Sequence, residues 1–207
     1  TLRHAFGSQE LNRGCDIHIF GSRCKHVIAV KSGWLWVSGH IVPPPPRLDS
    51  LSVRAIACGS QHILFTCNEN DLCFAWGSNS MGQCGLPPDA VAFLRTPLAI
   101  PLKGADGRVK LIAASGKTSA YVTKQRQTRV HLMGQCVASE CAVVGDLGNE
   151  VISKIVLSVF EDISHQVLRP SIFALTTSGE LFSWGDNTCK QLGRTIDELS
   201  PGSSPAK

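Results

Sequence analysis

The chain has 207 residues, of which 43% are hydrophobic and 17% are charged. This balance is typical of a globular protein and excludes a bilayer-spanning helix, since no apolar run approaches the ~20 residues that such a helix needs. The formal net charge of +4 at pH 7 is below that of a dedicated nucleic-acid-binding domain.

Predicted strands recur along the chain in one order: an apolar strand, a polar turn, a second strand with a large side chain, and an exit glycine. The period is about 45 residues, which is typical of β-propellers and related arrays. The tail of one copy lies at residues 5–9, and fuller copies lie at 27–39, 56–85, 112–134 and 173–193. The exit glycines are Gly7, Gly39, Gly77, Gly134 and Gly185.

The copy at residues 56–85 is the most complete. Its second strand alternates the large side chains of Phe74 and Trp76 with small residues, which predicts a strand covered on both faces. It ends in a glycine-rich stretch at residues 77–85, whose glycine, asparagine and glutamine positions recur at residues 185–193. This recurrence is the strongest evidence for a repeat.

The segments outside these two copies carry weaker predictions. In the copy at residues 112–134 we expect Ser119 to stand where His62 stands, because each follows a glycine by three residues. We predict a first strand at residues 98–102, an irregular insertion at 135–150 and a buried strand at 151–160.

The nine cysteines form no recognisable metal or disulfide pattern, since no CxxC pair and no zinc-type Cys/His spacing occurs. Several lie in apolar contexts, where a thiol behaves as a small hydrophobic side chain. We therefore expect reduced core cysteines in an intracellular protein, with a disulfide or metal role as the alternative. The four in apolar contexts are Cys58, Cys67, Cys73 and Cys84.

The pattern Ile-Ala-Cys-Gly-Ser-x-His, apolar strand, turn, Phe-x-Trp-Gly-x-Asn-x-x-Gly-Gln-x-Gly resembles the repeat of the regulator of chromosome condensation family. The resemblance implies an all-β fold, a seven-bladed β-propeller, and a structural role for the repeat positions. These positions are Gly59, His62, Trp76, Gly77, Asn79, Gly82, Gln83, Gly85, Trp184, Gly185, Asn187, Gln191 and Gly193.

Seven blades of about 50 residues need roughly 350 residues, and this chain holds about four. We therefore predict an incomplete ring at residues 1–193, followed by a polar, flexible tail at residues 194–207. An open arc leaves unpaired strand edges. Further blades, in the same chain or in another, are expected against at least one edge.

No catalytic pattern stands out: the sequence has no Gly-x-Ser-x-Gly elbow and no Walker loop. The glycine-rich stretch 77–85 lies between predicted strands rather than before a helix, so we interpret it as a turn and not as a phosphate cradle. We expect no cofactor, no metal and no catalytic residue.

The one polarised surface feature is the basic stretch at residues 103–129, in which Asp106 is the single acidic residue. Side chains of its predicted hairpin turn project into solvent, where they suit an acidic protein patch, a phosphate group or a nucleic-acid backbone. A solvated turn is the alternative. The candidate partner-binding residues are Lys117, Lys124, Arg126 and Arg129.

Together these patterns favour a non-enzymatic protein–protein interaction or scaffold module of a larger intracellular assembly, cytoplasmic or nuclear. The resemblance implies a second hypothesis, guanine-nucleotide exchange on a Ran- or Ras-like small GTPase, with nucleic acid or chromatin as a weaker partner. An independent enzyme is the third. No membrane association is expected. Fold alone does not decide among these functions.

Overall fold

In the computed structural model, strands account for all the regular secondary structure of the described residues, which form fourteen β-strands. No helix in this part of the chain is long and apolar enough to cross a membrane. The described residues are 16–20, 26–31, 34–38, 53–67, 72–102, 109–124, 127–135, 142–159 and 170–193.

The strands pair into four antiparallel sheets, each with its strands in chain order. Sheet I contains β1 (Asp16–Phe20), β2 (His26–Lys31) and β3 (Trp34–Ser38). Sheet II contains β4 (Val53–Cys58), β5 (His62–Cys67), β6 (Cys73–Ser78) and β7 (Phe93–Ala99). Sheet III contains β8 (Val109–Ser115), β9 (Thr118–Lys124), β10 (Thr128–Gly134) and β11 (Ala142–Asp146). Sheet IV contains β12 (Ile152–Ser158), β13 (Ser171–Thr176) and β14 (Leu181–Gly185).

The first strands of sheets II, III and IV lie side by side, with β4 beside β8 and β8 beside β12. The later strands of each sheet follow outward from this inner row in chain order. Up-and-down sheets set side by side in this way are the blades of a β-propeller. The chain is thus all-β and forms part of a propeller, which confirms the fold predicted from the sequence.

The hydrophobic core lies between the blades. Leu64 of sheet II packs with Tyr121 and Met133 of sheet III, and Leu132 of sheet III packs with Trp184 of sheet IV. A blade between two others must therefore be apolar on both faces. On β6 of sheet II, Trp76 and the neighbouring Ala75, which point to opposite faces, are both fully buried, so this strand has no polar face either.

The exit glycines close the described blades in one way. A β-carbon on any of the three would lie within 2.5 Å of a main-chain carbonyl oxygen at the start of the preceding strand. The next residue donates its N–H to that same carbonyl at 2.8–3.0 Å, so the backbones must approach closely. The exits at Gly7 and Gly39 lie outside the described residues. The three described glycines, all in the positive-φ region that favours glycine, are Gly77 (φ 101°), Gly134 (φ 106°) and Gly185 (φ 103°).

The strand register changes one assignment in sheet III. The residue opposite the exit glycine is His62 in sheet II and Thr118 in sheet III. Thr118, and not Ser119, therefore stands at the histidine position. Glycine spacing gave the wrong residue because Gly116 lies one position later in its loop than Gly59.

Three segment predictions also need correction. Residues 98–102 do not begin a sheet, because β7 is the outer strand of sheet II. Residues 135–150 are not wholly irregular, since they contain β11. The strand expected at residues 151–160 exists as β12, but it is buried on one face only, and Val156 is 44% exposed. The tail at residues 194–207 lies outside the described part of the chain.

Candidate functional site

His62, the most conspicuous histidine of the repeat, joins two blades. Its Nε2 lies 2.7 Å from Oγ of Ser119 in sheet III. Its ring lies against Gly59, where a β-carbon would sit 2.0 Å from the imidazole, so glycine is required there. Complete burial lowers the pKa of His62 to about 4. The imidazole is therefore neutral at pH 7 and serves the junction between blades.

The exit loop of sheet II is held by two buried amides. Asn79 donates from Nδ2 to two loop carbonyls, at 2.7 and 3.1 Å, and accepts the N–H of Cys84 at 2.9 Å. Gln83 accepts the N–H of Met81 at 2.8 Å. These bonds satisfy the backbone of a tight loop, so the amides are structural groups.

The exit loop of sheet IV repeats two of these hydrogen bonds. Asn187 accepts the N–H of Leu192 at 2.9 Å, and Gln191 accepts the N–H of Cys189 at 2.8 Å. The acceptors and donors have the same sequence separations as in sheet II. The two loops are therefore structural equivalents, as the recurrence of their glycine, asparagine and glutamine positions predicted.

Lys190 stands at the position of Gly82 and shares its left-handed backbone, with φ of 59° at Lys190 and 76° at Gly82. A residue with a β-carbon loses about 1–2 kcal/mol in this region relative to glycine. We expect Lys190→Gly to raise the free energy of unfolding by about 0.5–1 kcal/mol, after the greater freedom of glycine in the unfolded chain is included. Thermal unfolding of the purified parent and variant chains measures this difference in stability.

The reverse change, Gly82→Ala, is the matched control. The nearest atom to a β-carbon there is 3.6 Å away, so the expected loss comes from the backbone alone. A lower melting temperature for Lys190→Gly than for the parent would contradict the equivalence of the two loops.

The two repeat tryptophans are both blade-packing residues, but their indoles have different surroundings. Trp76 Nε1 donates to the carbonyl of Arg95 in β7 at 3.3 Å. Trp184 is 3% exposed and its Nε1 has no hydrogen-bond partner. The difference follows from the sheets, because among the described strands only β13 pairs with β14.

The buried thiols and the second buried histidine also belong to the core. Burial raises the pKa of Cys73 and of Cys84 to about 12, so neither is a reactive thiolate at pH 7. His131 lies 2.9 Å from Oγ1 of Thr123 and stacks on Tyr121, with ring centroids 4.6 Å apart. Burial, and secondarily Arg129, lower the pKa of His131. Across the described residues no group of three potential metal ligands occurs.

Two segments in which the copies differ meet at one end of sheet III. Arg129 is the second residue of β10 and lies opposite Asp146, which ends β11. The Nε of Arg129 is 3.8 Å from Oδ2 of Asp146, and its Nη2 donates to Gln127 at 3.2 Å. We call residues 127–129 and 146–150 the turn surface.

Backbone hydrogen bonds fix the shape of the turn surface. Thr128 donates its hydroxyl to the carbonyl of Glu150 at 2.6 Å and its N–H to that of Gly148 at 2.7 Å. Leu147 donates its N–H to the carbonyl of Thr128 at 2.9 Å. The turn surface therefore presents its exposed side chains from an ordered backbone.

The structure does not bring all the candidate basic residues together. Lys117 lies in the turn between β8 and β9, and the seven residues of β9 separate it from Arg129 by about 20 Å. The backbone of Lys124 pairs with Thr128 beside the turn surface, and its side chain is outside the description. Arg126 lies outside the described residues.

Asp146 is the functional candidate that sequence reasoning missed. It comes from a later strand, and only the register between β10 and β11 places it beside Arg129. The two side chains are 50% and 47% exposed, so their attraction is screened by solvent and adds little to stability. Its main consequence is a surface of mixed charge rather than a basic one.

Comparison with known proteins agrees with this architecture. The family profile "Regulator of chromosome condensation (RCC1) repeat" matches residues 53–83 and 172–191. The human protein "Probable E3 ubiquitin-protein ligase HERC6" is 26% identical over 164 residues, which are 76% of this chain and 16% of that protein.

Solved structures of yeast RCC1 (Prp20) have the same fold. The complex with Kap60 matches 93% of this chain and 47% of that one, with a TM-score of 0.65 and 19% identity. Prp20p from Saccharomyces cerevisiae matches 86% of this chain and 45% of that one, with a TM-score of 0.61 and 19% identity. The chain thus spans about half the length of these structures.

The blades define the class: a partial β-propeller. The RCC1 repeat profile matches the two segments whose exit loops share hydrogen bonds. These two blades are therefore similar to RCC1-type blades, over residues 53–83 and 172–191 of this chain.

Proposed function

We propose that this chain is a non-enzymatic interaction module of a larger intracellular assembly, cytoplasmic or nuclear, and that it binds a protein partner through the turn surface. The observation that carries the proposal is the meeting of residues 127–129 with residues 146–150. These are the segments in which the repeat copies differ, whereas the shared side chains hold the exit loops and the junction between blades together.

The charge of the turn surface favours a protein over a nucleic acid. Arg129 is paired with Asp146, and Glu150 follows four residues later. Acidic side chains repel a phosphate backbone, which is bound by uniformly basic surfaces. A partner protein with both signs of charge complements this arrangement, and such complementarity sets specificity and association rate.

Reversing the charge of the turn should abolish partner capture. We expect the triple variant Lys124→Glu, Arg126→Glu, Arg129→Glu to recover at least tenfold less partner than the parent in quantitative affinity purification from cells. The reason is that the variant replaces the positive charges of a mixed surface by negative ones, so that the acidic groups of the partner which they attract are repelled.

Charge reversal at exposed basic residues elsewhere is the control. Arg95→Glu and Lys154→Glu lie on sheets II and IV and should leave capture unchanged. Equal capture by the triple variant and the parent, with both folded by circular dichroism, would remove the turn surface as the binding site.

Nucleotide exchange on a small GTPase is the second candidate. The structure of Prp20p, whose fold this chain shares in part, was described together with binding to Gsp1p and histones. An exchange factor accelerates nucleotide release, so we expect faster loss of a fluorescent GDP analogue from at least one Ran- or Ras-like GTPase. Prp20p with Gsp1p is the positive control. If nucleotide release stayed unchanged across a panel of GTPases, the exchange hypothesis would be rejected and only the interaction-module hypothesis would remain.

A further inference from the structure

The first strands of sheets II, III and IV each contain a β-bulge at the same position. The extra residue is Arg54 in β4, Lys110 in β8 and Ser153 in β12, and all three are exposed. The positions are equivalent because the residue after each bulge lies opposite the fifth residue of the second strand of its sheet. Bulges redirect side chains and are frequent beside functional sites. The three extra side chains are therefore candidates for binding.

The bulge side chains have different surroundings. The hydroxyl of Ser153 donates back to its own sheet, to carbonyls of β13 at 3.0 and 3.2 Å. Arg54 reaches the next blade instead, where its Nη2 donates to the carbonyl of Val109 at 2.7 Å. Val109 directly precedes Lys110. The bulges of sheets II and III thus bring two basic residues of different blades next to each other. We call Arg54 and Lys110 the rim pair.

The rim pair lies at the same end of sheet III as the turn surface. Thr123 of β9 lies opposite Val109 on one side and opposite Arg129 on the other. Neighbouring strands are about 4.8 Å apart, so about 10 Å separates the backbones of β8 and β10. Asp146 lies one strand further out, opposite Arg129. This end of sheet III therefore changes from basic at the inner row to mixed charge at the outer strands.

Arg129 and the rim pair also belong to one junction, that between sheets II and III. Side chains two residues apart along a strand share a face, so Arg129 and Met133 lie on the same face of β10. Met133 packs against Leu64 of sheet II, which shows that this face is directed towards sheet II. Arg54 extends from sheet II towards sheet III. Arg54 and Arg129 thus approach the same end of the junction from its two sides.

We propose that the rim pair binds an acidic, extended segment of the partner protein, which continues outward over the turn surface. The inference deepens the proposed function: it rests on partner binding at the turn surface and adds the chemistry of the bound segment. Carboxylates of the segment contact Arg54 and Lys110, and a basic side chain contacts Asp146, because complementary charges fix the register of an interface. The distance from β8 to β11 is about 14 Å, which about four extended residues span.

A polypeptide matches this change of charge better than a nucleic acid does. A phosphate backbone has the same charge along its whole length, so the part above Asp146 and Glu150 would be repelled. A polypeptide can change the sign of its charge within four residues. The bound segment is therefore expected to be acidic at the inner row and basic at the outer strand.

Binding of a designed peptide to the purified full chain tests the proposal. The probe is a fluorescein-labelled peptide of six glutamates followed by two lysines, measured by fluorescence anisotropy in 150 mM salt, where the Debye length of about 8 Å suppresses distant charges. We expect Lys110→Glu to weaken binding at least tenfold, and Lys110→Gln and Arg54→Gln about threefold each. Glutamine at position 54 can still donate to the carbonyl of Val109, so Arg54→Gln removes the charge and keeps a donor.

Lys154→Glu is the matched control, because Lys154 is an exposed lysine directly after the equivalent bulge of sheet IV. We expect it to leave peptide binding unchanged. Equal weakening by Lys110→Glu and Lys154→Glu would mean that the peptide responds to net charge alone, and would overturn the proposal. No binding to the folded parent would do the same, as would tighter binding of single-stranded decathymidylate than of the peptide.

Capture of the natural partner separates this inference from the proposed function. We expect Lys110→Glu to reduce capture as the triple charge variant of the turn does, with folding of both checked by circular dichroism. If the triple variant lost capture and Lys110→Glu kept it, the rim pair would be rejected and the turn surface would stand. If Lys110→Glu lost peptide binding and the triple variant kept capture, the turn surface would be rejected and the rim pair would stand.

Discussion

Replacing Gly77 by alanine is expected to lower the free energy of unfolding by about 3–5 kcal/mol, a large share of the ~5–15 kcal/mol typical of a folded domain. The added β-carbon would lie 2.5 Å from the carbonyl oxygen of Gln61, and φ is 101°. That carbonyl accepts the N–H of Ser78 at 2.8 Å, so it cannot move away without breaking the blade closure. Equilibrium urea denaturation followed by circular dichroism measures the loss.

Gly148→Ala is the control that separates the preference of a positive-φ backbone for glycine from the steric clash of an added β-carbon. Gly148 has φ of 58°, but a β-carbon there would meet no atom within 4 Å. We expect it to lose only about 1 kcal/mol. If Gly77→Ala were no more destabilising than Gly148→Ala, the close approach at the blade exit would not be the reason for glycine.

Acidification should destabilise the fold through His62. Its pKa is about 4 in the folded protein and near 6.5 when unfolded, so between these values the unfolded chain binds the proton and the folded one does not. Stability is therefore fully present above pH 6.5 and is lost as pH falls towards 4. Between pH 7 and pH 4.5, protonation of His62 is expected to lower the free energy of unfolding by about 2–3 kcal/mol.

His62→Gln is the variant that isolates this effect, because the amide can still bond to Ser119 but does not titrate. We expect the difference in unfolding free energy between pH 7 and pH 4.5 to be about 2–3 kcal/mol smaller in the variant than in the parent. His131 is present in both and cancels. Identical pH profiles would mean that His62 is not buried in neutral form.

Features within a single blade could be predicted from the sequence, but contacts between blades could not. The alternation around Phe74 and Trp76 and the amide positions in the two exit loops depend on local spacing, so they could be recognised from one strand and one turn. The partner of His62 could not, since Ser119 belongs to another blade. The local pattern of one blade does not show which residues of the adjacent blade face it.

In the candidate site, too, local sequence predicted some features while others depended on strand pairing. The basic turn was visible in the sequence because its charges are close together, yet Asp146 reaches it only through the pairing of β10 with β11. Lys117 was grouped with the turn by proximity in sequence, and the length of β9 places it at the other end of the sheet. The exposure of Val156 depends on whether another blade packs on that face of sheet IV, which no local pattern encodes.

The central claim is that shared repeat residues build the blades while the turn surface binds the partner. Hydrogen–deuterium exchange of the chain alone and in its captured complex tests it most directly. We expect peptides covering residues 124–129 and 146–150 to gain protection, with the exit loop at residues 77–85 unchanged. Protection at the exit loops, with the turn surface exchanging at its free rate, would contradict the account.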